Sequence, residues 1–314
     1  MNRTLIVAAV ATLATSAAMA QSSVNIYGRF NLTAEAQDSN GKKVKVLQNN
    51  SSRIGFKGTE DLGGGLKAGF ILEHGFNADT GQPSGAFWGR QSEVNLSGGF
   101  GMVRMGTFTS EAYFATSDYI GMHNHETGTS SDSLYAYIGR GTNKVAYRTP
   151  EFVKGLSIEG AVSANESSLA KARSYDFAAN YQLGALHLGL GYEKFGTAKQ
   201  MAVSGLYEAG SFVFGGMIQR DTDGWGANLG DRTNFRGSVA YMFGSNELHL
   251  NIGKSGEYSK LKGSDATQFT LGYNYNLSKR TKVYSFYTKT NDEKKVYGFG
   301  GDFSSLAVGL RHNF

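Results

Sequence analysis

The chain has no cysteine and only two prolines in 314 residues. Without cysteine there can be no disulfide framework and no cysteine-ligated metal centre. Collagen is excluded too, because it needs abundant proline and a strict three-residue glycine period. Long helices are disfavoured by 43 glycines, each costing about 1 kcal/mol in a helix interior. Beyond the first twenty residues, no stretch approaches the 18 or more apolar residues of a membrane helix. Charged residues make up only 18%, while aromatics reach 12%, which is too apolar for a disordered chain. What remains is a large all-β chain rich in glycine, tyrosine and phenylalanine.

The first twenty residues are a separate matter. Arg3 supplies a positive start, residues 5–13 a short apolar run, and Ala18-Met19-Ala20 a small-residue cleavage site. Cleavage between Ala20 and Gln21 is expected. That gives a signal peptide over 1–20 and a single domain over 21–314, whose net charge is +4 after Arg3 is lost. An exported chain without a membrane helix is periplasmic, secreted or a membrane β-barrel.

Alternation chooses among these. Val24, Ile26, Phe30 and Leu32 alternate with Asn25, Arg29, Asn31 and Thr33. Leu186, Leu188, Leu190 and Tyr192 alternate with His187, Gly189, Gly191 and Glu193. Phe269, Leu271, Tyr273 and Tyr275 alternate with Thr270, Gly272, Asn274 and Asn276. Such runs last about ten residues, enough to cross a bilayer when tilted. Tyr and Phe recur at their ends, where the membrane interface lies. In hydrocarbon every backbone group must find a partner within the protein, so the strands must close. The expected fold is an all-β, transmembrane, antiparallel up-and-down barrel.

Connections alternate short and long. Short ones fall at 61–64, 98–101, 150–154, 183–184, 208–210, 244–246 and 278–280. Long ones fall at 37–49, 77–86, 109–138, 166–171, 196–199, 222–231, 255–264 and 291–304. Fifteen connections join sixteen strands; 14 or 18 are the alternatives. The chain ends on Leu306, Val308, Leu310, His312 and Phe314 in one parity, which puts a terminal aromatic ring at the interface.

Four segments carry a resemblance. They are Ser52-Arg53-Ile54-Gly55-Phe56-Lys57-Gly58 with the Asp61-Leu62-Gly63-Gly64 turn, the run from Arg140-Gly141-Thr142-Asn143-Lys144 to Pro150, Leu271-Gly272-Tyr273 with Leu277-Ser278-Lys279-Arg280, and Val308-Gly309-Leu310-Arg311-His312-Asn313-Phe314. The sequence resembles the trimeric general porins of the neisserial and betaproteobacterial type over the whole mature chain. The resemblance implies a 16-stranded barrel in the outer membrane of a Gram-negative bacterium, with its third long loop folded into the pore. It implies passive diffusion of small hydrophilic solutes and inorganic ions. The implied partners are two further copies in a homotrimer, outer-membrane lipids and lipopolysaccharide, and the barrel assembly machinery, for which Phe314 would be the signal. Nucleic acid is not an expected partner.

Parity nominates a basic wall. Arg53 and Lys57 share the inward side of their strand, Arg104 faces inward opposite Val103 and Met105, and Arg140, Lys144 and Arg148 share one parity. The resemblance carries over Arg53 and Arg140 as pore-wall arginines. It also places one in the segment of Arg90, whose parity matches Val94 and Leu96, so that Gln91 competes for the inward position. The third long loop holds Glu111, Asp118, Glu126 and Asp132 among Tyr113, Phe114, Tyr119 and Tyr135. An acidic loop facing a basic wall across the pore would give weak to moderate anion preference. The plainer reading of that loop is a cover over the mouth.

Other chemistries are weaker. His123, His125 and Glu126 lack the further ligands of a metal site. His187 and His249 have no marked serine nucleophile, so no enzyme activity is expected. No cofactor is expected either. Inward glycines such as Gly189, Gly191 and Gly272 argue against a filled lumen. A substrate-selective outer-membrane channel is the alternative function.

Overall fold

A computed structural model describes residues 23–122, 133–139, 141–164, 173–297 and 300–314. The expected cleavage site, Ala20 and Gln21, lies outside the described residues, as do Glu126, Asp132 and Arg140.

Sixteen antiparallel strands close on themselves. They are β1 (Ser23–Ser39), β2 in two halves (Lys42–Asn49 and Arg53–Gly63), β3 (Leu66–Asn77), β4 (Gln91–Gly98), β5 (Gly101–Thr107), β6 (Lys144–Arg148), β7 (Leu156–Ser163) and β8 (Ser174–Leu183). The second half of the wall is β9 (Leu186–Phe195), β10 (Ala198–Ala209), β11 (Phe212–Thr222), β12 (Asp231–Phe243), β13 (Asn246–Ser255), β14 (Ala266–Asn276), β15 (Thr281–Asn291) and β16 (Phe303–Asn313). The seam closes where β16 pairs with β1, from Arg29 opposite Asn313 to Ser39 opposite Phe303. Gly28 and Phe314 exchange two backbone hydrogen bonds at its end, of 3.0 and 3.1 Å.

Burial is inverted relative to a water-soluble protein. On β16 Leu306, Val308 and Leu310 are 52–64% exposed, while Ser305 and Ala307 are at 1%. On β12 to β14, Phe235, Ile252 and Leu271 are exposed, and Asn234, Asn251 and Thr270 are buried. A continuous apolar exterior of this extent belongs in lipid. No described helix is long and apolar enough to cross a membrane; the strands do so instead. Near the short turns the outer face carries aromatics, with Phe212 against Tyr241 at 4.7 Å and Tyr241 against Phe243 at 5.3 Å. Their amphipathic rings suit a membrane–water interface.

Two expected long connections are hairpins. Residues 37–49 form a ladder from Leu32 opposite Asn49 to Ser39 opposite Lys42. It turns on Asn40 and Gly41, both at positive φ, the tight turn that matches strand twist. At 196–199 only Gly196 and Thr197 separate β9 from β10. Between its halves β2 carries a bulge: Gln48 to Arg53 is five steps, whereas their partners, Thr33 to Arg29, are four apart. The extra residue flips the inward parity from even to odd numbers. Arg53 therefore faces the lumen beside Arg29, its partner on β1.

Candidate functional site: the lumen wall and the third long connection

The connection between β5 and β6 lies, over its described residues 108–122 and 133–139, against the inward faces of β8 to β13. It begins as a short helix, Glu111–Tyr113, capped by the Ser110 hydroxyl, and continues as a wider turn over Phe114–Asp118. Ser204 on β10 donates to the Ala115 carbonyl at 2.9 Å, and Tyr119 shares a 2.7 Å hydrogen bond with the same hydroxyl. Ser238 on β12 donates to Ile120. The returning limb is pinned as well. Gln219 brackets Ala136, accepting from its N–H at 3.1 Å and donating to its carbonyl at 2.9 Å. The Tyr135 hydroxyl donates to the Phe235 carbonyl at 2.7 Å. Buried Glu193 clamps both limbs, accepting from the Ser110 hydroxyl and from the Ile138 N–H at 2.9 Å.

Glycine makes this approach possible. A Cβ at Gly189 would stand 1.7 Å from the Ala115 carbonyl oxygen, and one at Gly191 2.9 Å from that of Ala112. Both inward glycines are seats for the loop, a different role from the open lumen read into them from the sequence.

The expected basic wall divides into two groups. The first surrounds the start of the loop. Arg104 lies 3.4 Å from Glu93 and 3.3 Å from Glu111, and it contacts Glu159. Arg148 meets Glu111 at 2.7 Å and Glu159 at 2.9 Å. Lys144 is buried 2.7 Å from Asp176. Three cations thus meet four carboxylates, so this stretch is not a net basic wall. Glu111 does not face the wall across the pore; it is bonded to it. Burial pushes the Glu111 carboxyl above its ordinary pKa, against the pull of Arg148 and Arg104.

The second group gathers at the seam. Arg53 lies 3.7 Å from Glu73, and Arg90 binds the same carboxylate at 2.7 Å. Arg90 stands just before β4, so strand parity does not govern it, and Gln91 faces inward as well, donating to Glu93 at 3.1 Å. Arg311 on β16 lies within electrostatic reach of Arg53, Asp118 and Glu247. Lys282 on β15 lies within reach of Arg29, Arg311 and Glu247. Five cations, Arg29, Arg53, Arg90, Lys282 and Arg311, therefore share this region with Glu73, Glu247 and Asp118. Asp118 reaches them from a loop anchored on the opposite wall. Lys57 sits lower on β2, its Nζ 5.3 Å from the centre of the Tyr27 ring.

Parity on β1 and β16 puts Arg29 and Arg311 inward; on β15 the parity of Lys282 also carries Tyr284 and Phe286, so alternation leaves its side open. Their convergence with Arg53 needed the register of three strands across the seam. Glu93, Glu159 and Asp176 carry the same inward parity, a signal that would have exposed the neutralised half of the wall. Among the described residues no group of three or more acidic or histidine side chains could hold a metal.

Comparison with known proteins settles the family. A profile of the Gram-negative porins matches residues 7–295. The chain belongs to the Gram-negative porin family. It is 32% identical to outer membrane porin protein 32 of Delftia acidovorans, over 100% of both chains. Against the major outer membrane protein P.IB of Neisseria lactamica it is 29% identical, covering 96% of this chain and 98% of the other. The anion-selective porin from Comamonas acidovorans superposes with a TM-score of 0.76 at 26% identity, over 94% of this porin and all of that one. This porin is a channel of the Gram-negative outer membrane.

Proposed function

We propose that this porin passes small hydrophilic solutes and ions by passive diffusion, with a weak to moderate anion preference set at the seam. The observation that carries the preference is the excess of five cations over three carboxylates around Arg53 and Arg311. In a narrow passage with low-dielectric walls, fixed cations raise the local anion concentration and repel cations. Asp118, facing them, adds a field across the passage that orients dipolar solutes. Arg140 would join the cations, on the resemblance of its segment. The named selectivity of the Comamonas protein agrees in sign.

A homotrimer is proposed on the same relationship. The terminal Phe314, packed 6.1 Å from Phe30 on the outer surface, is proposed as the assembly signal. Reversal potential in a planar bilayer under a salt gradient tests the selectivity. Anion-selective current should weaken in Arg53→Ala with Arg311→Ala. An unchanged reversal potential would refute the seam as the filter. Saturable block by one solute at low concentration would favour the substrate-selective channel.

A further inference from the structure

The outer half of β2 leaves one side of its backbone without a neighbouring strand. Residues Lys42–Asn49 are paired with β1, from Leu32 opposite Asn49 to Ser39 opposite Lys42. On the other side β3 does not follow them. The ladder between β2 and β3 starts at Arg53 opposite Gly75, and just above it the Phe76 N–H donates to the Ser52 carbonyl at 3.0 Å. Beyond that point, among the described residues, the Asn49 side chain makes the crossing, donating to the Phe76 carbonyl at 3.1 Å.

The two-residue turn at Asn40 and Gly41 fixes which groups are left over. In such a hairpin the residues flanking the turn exchange both of their backbone bonds, and every second pair repeats the pattern. Lys42, Val44, Val46 and Gln48 therefore commit their N–H and C=O groups to β1. Lys43, Lys45 and Leu47 point theirs away from it. Three donors and three acceptors in a row form a sheet edge, the template onto which an extended chain adds as a further strand.

Charge and position select the chain that fits. In a porin the long-loop end is the cell exterior, and β1, at 17 residues, runs past the roughly ten that a bilayer needs. The edge therefore stands outside the membrane. It carries Lys42, Lys43 and Lys45 and no carboxylate. Lys43, Lys45 and Leu47 share one face, and Leu47 is 54% exposed. Asp38, opposite Lys43, accepts from the Gly41 N–H at 2.8 Å and so is tied to the turn. Lysines on an edge repel a second copy of that edge, which disfavours self-pairing. The same lysines attract acidic side chains set directly opposite them, at about 5 Å between Cβ atoms.

We propose that the outer half of β2 is a docking edge for an extended acidic segment of another protein at the cell surface. The segment adds antiparallel, the more stable sense, with acidic side chains opposite Lys45 and Lys43 and an aliphatic one opposite Leu47. Same-face positions lie two apart, so from its N-terminus the segment reads aliphatic, any, acidic, any, acidic. Exposed Val44 on the other face favours β-branched residues at the intervening positions. The pore takes no part in this contact.

The test uses the purified porin in detergent and the labelled peptide Thr-Leu-Thr-Glu-Thr-Glu-Thr, followed by fluorescence anisotropy. Binding should be saturable. N-methylation at the leucine and both glutamates, whose amides face the edge, should abolish it, while N-methylation at the two threonines between them should be tolerated. Lys43→Glu with Lys45→Glu should weaken binding about tenfold or more, since two attractive cross-strand pairs become repulsive. The peptide with lysines in place of both glutamates should bind this variant as the parent binds the original. Equal binding of the two methylated peptides to the parent would make the contact purely electrostatic and overturn the proposal. So would parental affinity in the double variant, or no saturable binding by the parent.

Discussion

Replacing Gly189 by alanine is the most exacting test of how the loop is seated. The new Cβ would begin 1.7 Å from the Ala115 carbonyl oxygen and 2.7 Å from the Ser204 hydroxyl. Carbon and oxygen come to rest at roughly 3.5 Å, so one side must retreat by about 1.5–2 Å. Strand β9 cannot be that side, because ladders to β8 and β10 hold it on both edges. The loop must move instead, and the direction open to it is the lumen. The move breaks the Ser204 bond to Ala115 and loosens that of Tyr119. Together these are worth about 1–3 kcal/mol of loop anchoring. The expected result is lower single-channel conductance, with faster amide hydrogen exchange over 112–120. Gly191→Ala should do less, since its Cβ would stand at 2.9 Å. Parental conductance and exchange in Gly189→Ala would refute the close seating of the loop.

The remaining predictions concern charge and assembly. Asp118→Asn should shift the reversal potential further toward anions, because it removes the carboxylate facing Arg311; an unchanged reversal potential would place Asp118 outside the filter. Glu111 carries a raised pKa through burial, so it gains its proton at higher pH than an ordinary carboxylate as pH falls. Anion preference should therefore rise on acidification, and Glu111→Gln should show the raised preference at neutral pH with a flatter pH profile. Deleting Phe314 removes two backbone bonds to Gly28 and the ring beside Phe30; the yield of heat-sensitive oligomer on detergent gels should fall sharply.

The barrel was legible in the sequence because lipid enforces a rule on every strand. An apolar residue must point out and a polar one in, and a one-residue slip reverses both faces. Leu306, Val308 and Leu310 against Ser305, Ala307 and Gly309 show that rule without any structure. It lapses where the strand leaves the hydrocarbon. Strand β1 runs 17 residues, longer than the roughly ten a bilayer needs. Its outer part and the partner ladder from Lys42 are free of the rule, and this hairpin reads as a loop in the sequence.

Parity fixes which side a residue faces but not its height or its neighbours. Arg104, Lys144 and Arg148 do face inward, and the sequence alone determined that much. That they meet Glu93, Glu111, Glu159 and Asp176 was decided by register between strands and by a loop with no periodicity to read. The seam cluster is the sharper case. Arg29 and Arg311 lie nearly three hundred residues apart in the chain, yet ring closure brings both to Arg53. The alternation of solvents wrote the barrel into local sequence; the electrostatics of the pore depend on distances between strands, which only the closed barrel sets.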